Sequence, residues 1–157
     1  MSNINIKNLL LLIVFLFSIQ IYSQNLNSQS YNKRYTKDAE NGFAWNSLSE
    51  GYSIAKDYKH DYLASMLENQ RLKNMYQRNS ASPIDCTKDI SKLMDSGKSD
   101  GIDLDAMVKL IDGFYNKEEN LIIPIMGAYC YSVKDLAGYN ENDLETYRQE
   151  LLKFSKE

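Results

Sequence analysis

The sequence predicts an all-α fold, a compact bundle of five or six helices forming one domain. Three observations carry this reading. Beyond residue 40 the apolar residues recur at i, i+3, i+4 and i+7, the spacing of one helix face. No segment sustains the apolar–polar alternation of a strand; the run Leu121-Ile122-Ile123 is the only strand-like stretch, and Pro124 cuts it short. The 157 residues, less an N-terminal export signal, suffice for one domain and are too few for two.

The first element in order is that signal, residues 1–23. Lys7 supplies a positive start, Leu9 to Phe17 is an unbroken apolar core, and Ile21-Tyr22-Ser23 ends on a small residue where a signal peptidase cuts. The apolar core is well short of the roughly 20 residues that span a bilayer, so no membrane span is expected after cleavage. The form resembles bacterial export signals ending in Ser-Gln, which implies a periplasmic or secreted protein. Residues 24–40 read as a flexible polar leader with Leu26 as the one aliphatic residue of its first stretch, too little to offset the entropy of ordering.

The helical domain is expected over residues 41–157. Trp45, Leu48, Tyr52, Ala55, Tyr58, Tyr62 and Met66 form one apolar stripe, widened by Leu63 and Leu67. Gly51 divides it into a short helix and a long one, and the residue before Pro83 closes the second. A third, short helix runs from about Cys86 to Ser96, with Ile90, Leu93 and Met94 inward and Gly97 as its stop. The fourth is the clearest, with Asp103 as N-cap and Leu104, Met107, Val108, Ile111, Phe114 and Tyr115 on one face. Pro124 opens the fifth as a first helical residue, and Ala128, Tyr131, Val133 and Leu136 carry it to Gly138. Asn140 caps the last, whose inner face is Leu144, Tyr147, Leu151 and Phe154.

Composition narrows the function classes. Hydrophobic residues are 43% and charged residues 25%, ordinary for a globular protein, which excludes wholesale disorder and a multi-span membrane protein. The chain is net acidic at −3, and removing Lys7 with the signal deepens that by one, so no nucleic acid is expected as partner. One His, two Cys and seven Gly supply neither a multi-histidine zinc site nor a glycine-rich phosphate cradle. No cofactor, no metal and no catalytic residue is expected.

Each remaining feature has a plain structural alternative. Cys86 and Cys130 either close a disulfide across a loop of about 45 residues or lie buried as separate thiols; an exported chain with two cysteines favours the bridge. Asp95 to Asp105 is acidic and Gly-punctuated like a calcium loop. With Gly101 at the sixth loop position, however, Lys98 falls on a ligand place and Met107 on the closing Glu, so it reads as a loop and helix cap. His60, flanked by Lys59 and Asp61 on the polar side of the second helix, reads as a surface residue without a nucleophile. Glu118-Glu119, adjacent and therefore not facing each other, reads as a solvated pair. Tyr52, Tyr58, Tyr62, Tyr129 and Tyr131 could line an aromatic groove, and core packing with hydroxyls at the surface is preferred.

Two stretches resemble a known group. Asn41-Gly42 and Trp45 ahead of a helix bearing Tyr62, then Leu104 to Ile111, Phe114-Tyr115, Asn120, Ile123-Pro124-Ile125 and Ala128, look like the "FY…N..IP…A" pattern of small secreted helical bacterial proteins. Those are similar in turn to the periplasmic Tai-type immunity proteins, which bind and block peptidoglycan-cleaving amidase toxins of rival cells. The resemblance implies an exported, non-enzymatic helical binding protein with a protein partner in the cell envelope, an immunity-like inhibitor of a cell-wall hydrolase. It carries no binding residue across. The motif residues also explain themselves as structure: Trp45, Phe114 and Tyr115 as core rings, Asn120 and Pro124 as a corner between helices. The alternatives are a cell-envelope enzyme or accessory with a site built from Tyr, Asp and Glu, and a structural envelope component.

Overall fold

Helix capping marks most of the elements where the sequence places them. The computed structural model describes residues 33–48, 55–76, 83–95 and 103–157. The signal peptide, the leader up to residue 32, and the stops at Gly51 and Gly97 lie outside the described residues. So do the side chains of Tyr52, Ala55, Leu72, Met75, Tyr76 and Met94.

Helix α1 (Gly42–Ser47) starts on Asn41, whose side chain accepts from the Phe43 amide at 3.1 Å. Helix α2 (Ala55–Tyr76) is the long second helix, and α3 (Thr87–Asp95) begins just beyond Cys86. Asp103 caps α4 (Leu104–Tyr115) by accepting from the Asp105 amide. A 3-10 helix (Glu118–Ile122) then leads to α5 (Ile125–Leu136). Pro124 is the N-cap of α5, one place before the first helical residue expected from the sequence. Gly138, at φ +81°, takes the left-handed position that ends α5. Asn140 caps α6 (Glu141–Lys156) by accepting from the Asp143 amide.

The result is an all-α bundle in which residues Arg34–Glu157 pack as one unit. Helix α5 is the hub, packed against α3, α4 and α6, while α4 also packs on α2. Trp45, Leu63, Met107, Ile111, Ile123, Val133 and Leu151 are fully buried at its centre. The expected inner faces of α4 and α5 are buried, except that Leu104 and Tyr131 are half-buried and Leu136 is exposed.

Three readings are corrected. The leader does not extend to residue 40: Tyr35–Thr36 pairs antiparallel with Ala39–Glu40 in a small hairpin, β1 and β2. Its turn residues, Lys37 and Asp38, have φ of 50° and 62°, the mirror-image turn that suits a twisted ribbon. Tyr58 is not on the inner stripe but 47% exposed. Lys59 is not on the polar side of α2; it is buried, because it reaches the carboxylate of Asp112. The strand-like run before Pro124 forms no strand, as expected: Leu121 and Ile122 belong to the 3-10 helix.

The two stretches that carry the family resemblance meet in space. Asn41 and Pro124 form an isolated β-bridge, and the Thr36 hydroxyl donates to the Ile122 carbonyl at 2.7 Å. The Tyr115 hydroxyl donates to the Ile123 carbonyl at 2.9 Å, and the Asn120 amide donates to the Phe114 carbonyl at 2.7 Å. A Cβ on Gly42 would lie 2.5 Å from the Tyr115 ring and 2.9 Å from the Leu121 backbone, so only glycine allows this approach. The motif residues are therefore one joint, closing the start of the fold onto the corner between α4 and α5.

Candidate binding cleft

A cleft of about 260 Å³ opens where α4, the 3-10 helix, α5 and α6 converge, lined among others by Lys109, Gly113, Phe114, Lys117, Tyr131 and Arg148. Each element delivers its residue for a local reason. Phe114 and Tyr131 come from the apolar stripes of α4 and α5, and their rings pack with centroids 4.8 Å apart. Burial holds the Tyr131 phenol above its usual value, with Asp135 and Glu145 adding to the effect. Lys109 and Lys117 stand four residues before and after Gly113, both exposed on the rim.

Arg148 forms one wall and is only 7% exposed. Its Nε and Nη2 donate to the two oxygens of Glu145 at 2.8 and 2.6 Å. Its Nη1 donates to Glu119 at 2.6 Å and to the Asn120 side chain at 3.1 Å. These bonds from Arg148 and Gln149 hold the Glu145 carboxyl down at about 2, and they raise the guanidinium in turn. The arginine thus ties α6 to the 3-10 helix, and its fork is occupied by the protein's own carboxylates. The charged groups left to face an incoming ligand are Lys109, Lys117 and Asp135.

Gly113 is the unexpected residue. It sits in the last turn of α4, and a Cβ built there would meet nothing within 4 Å. Neither packing nor a positive φ requires a glycine at this place. Gly113→Ala is therefore expected to raise stability by about 0.5–1 kcal/mol through helix propensity, read as a higher denaturant midpoint at unchanged slope.

The other predicted site residues are placed as follows. Cys86 and Cys130 are bridged, with Cα atoms 5.3 Å apart, joining the chain just before α3 to the middle of α5. His60 is half-buried beside the Asp61 carboxylate at 3.3 Å, with no nucleophile in contact. Glu119 is spent on Arg148, while Glu118 is exposed. Within the acidic stretch Asp95–Asp105, residues 96–102 lie outside the described residues, and Asp103 is a helix cap. Among the described residues no group of three metal-ligating side chains converges. Tyr52 lies outside the described residues; of the other tyrosines, Tyr58 is exposed, Tyr129 is buried, and Tyr62 donates to Glu40 beside the Trp45 ring, so these three do not share a groove.

Two polar clusters, one on the buried Lys59 and one on the buried Asp89, escaped the sequence reading. Asp112 accepts from Trp45 Nε1 at 2.7 Å and from Lys59 Nζ at 2.6 Å. Asp89 accepts from Lys134 at 2.6 Å and from the Tyr139 hydroxyl at 2.7 Å, fastening α3 to the end of α5. Lys59 and Arg148 each stand four residues from a buried leucine of the same helix, Leu63 and Leu144, which is the one sign of their inward position.

Burial pushes the Asp89 carboxyl up, but the hydrogen bonds from Lys134 and Tyr139 outweigh it and hold it below its usual 3.8. A depressed folded-state value stabilises the fold above the unfolded value and is lost as pH falls through the folded one. Asp89→Asn is expected to cost about 1–3 kcal/mol at pH 7. Denaturant titrations at several pH values should show that gap closing once pH drops below 3.8.

No protein-family model, no curated protein and no solved structure matches this chain.

Proposed function

We propose that the chain is an exported, non-enzymatic helical binding protein that inhibits a cell-wall hydrolase, in the manner of the Tai-type immunity proteins it resembles. The observation that carries this is the joint between residues 36–45 and 114–124, where both stretches of the resemblance converge in one helical bundle. The Cys86–Cys130 bridge fits a compartment in which disulfides persist, the periplasm or the medium. Among the described residues no helix is long and apolar enough to cross a membrane. The cleft residues bind one another rather than presenting a nucleophile beside a base, as a recognition surface would.

The test is capture from a cell-envelope extract followed by a peptidoglycan-cleavage assay. A stoichiometric hydrolase whose activity falls when the protein is added is expected. Turnover of peptidoglycan by the protein without a partner would overturn the proposal. Export is checked separately: mature protein recovered from the periplasm or medium should begin at Gln24, and intact Met1 in a membrane fraction would reject cleavage.

A further inference from the structure

We infer that the cleft beside Gly113 is where the partner docks, and that its occupant is a partner segment carrying a carboxylate side chain next to an aromatic one. This rests on the proposed binding function and adds to it the place and the chemistry of recognition. The geometry begins with the bare backbone. Gly113 leaves a gap on the exposed face of α4 that none of the described residues fills. Lys109 and Lys117 flank that gap along the chain and line the same cleft. Among the described residues neither lysine is in a salt bridge, although Lys117 acts on the Glu145 carboxyl through its charge, whereas the cleft's third cation, Arg148, is saturated by Glu145 and Glu119.

The arrangement selects its ligand by charge and shape. A carboxylate laid over Gly113 approaches the helix closely and lies between two ammonium groups, on a protein whose overall charge is −3. Next to it the Phe114–Tyr131 ring pair offers an edge for an aromatic or large apolar neighbour. Asp135, which also lines the cleft near Tyr131, disfavours a second negative charge beside that ring. A side chain at position 113 would close the gap, which accounts for a glycine that the helix itself does not need.

The experiment has two arms. In the first, the hydrolase captured by the wild-type chain is titrated against Gly113→Trp, Gly113→Ala, Lys109→Glu with Lys117→Glu, and Ser65→Trp, an exposed position outside the cleft. Gly113→Trp is expected to fold and to weaken binding more than about tenfold, and the double charge reversal by about tenfold with loss of salt dependence. Ser65→Trp should bind within about twofold of wild type, and Gly113→Ala should weaken binding, though less than Gly113→Trp. Unchanged binding by Gly113→Trp and the charge reversal overturns the cleft while leaving the inhibitor reading intact. In the second arm, run in either case, acetyl-Asp-Phe-amide and its Asn counterpart are titrated by NMR. Amide shifts centred on Gly113, Phe114 and Lys117, larger with Asp and abolished by Gly113→Trp, support the cleft. Shifts elsewhere, equal shifts with both peptides, or none overturn it. A wild-type chain that captures no hydrolase defeats the proposed function alone, and the peptide arm then decides the cleft.

Discussion

Phe114→Ala is expected to lower the stability of the fold by about 3–5 kcal/mol, a large share of what a domain of this size has. The ring is 7% exposed, in the last turn of α4. It packs edge-on to Tyr115 with centroids 5.4 Å apart and tilted against Tyr131 at 4.8 Å. Removing it opens a cavity between α4 and α5, the helix pair at the centre of the bundle, and strips an aromatic wall from the cleft. The carbonyl of the same residue accepts from Asn120, so backbone relaxation into the void would also pull on the corner. Denaturant titration is the measurement. A loss under about 1 kcal/mol would mean that the ring contributes little to the core.

Reducing the Cys86–Cys130 bridge is expected to cost about 4 kcal/mol on the chain-entropy description of a loop of this length. The effect should be local as well as global. Helix α3 is otherwise held to α5 by Asp89, while Ile90 and Leu93 pack on the shared core and the Tyr147 hydroxyl of α6 donates to the Pro83 carbonyl just upstream of α3. In the reduced protein, amide exchange in α3 should therefore accelerate before that in α4 and α6. Protein denatured without reductant should carry no titratable thiol. Two free thiols in exported material, or equal melting with and without reductant, would refute the bridge as a stabilising element.

The helices were legible because each has an amphipathic period and most have a cap or stop residue. Asp103, Asn140 and Gly138 act where the sequence places them. The hairpin was not legible. Its turn is Lys37-Asp38, without the Gly that positive φ favours, and its strands are two residues each. It is held by distant groups, the Ile122 carbonyl and Pro124, which no local pattern reveals. The cleft was half legible. Phe114 and Tyr131 stood on predicted apolar faces. Arg148 was passed over because a charged residue at an inward position looks like a break in the stripe until its partners, Glu119 and Asn120, are brought alongside. The pair between buried Lys59 and half-exposed Asp112 was missed for the same reason, since its members come from different helices.

The clasp between Thr36 and Ile122 spans 86 residues of chain, and that separation orders the events of folding. Helices α4 and α6 can each begin from neighbours along the chain, whereas the backbone clasp of the hairpin must wait until the corner at Pro124 has been made. Closing so long a loop costs entropy before any contact returns it, so the N-terminal segment is expected to join the structure late. A chain threaded through a membrane from its N-terminus would emerge with Trp45 and Gly42 uncovered, waiting for Tyr115 and Leu121 to follow. During that interval the first part of the domain is a substrate for holding chaperones and proteases alike. Substitutions that weaken the clasp should lower the yield of folded protein more than they lower the melting temperature of the molecules that succeed.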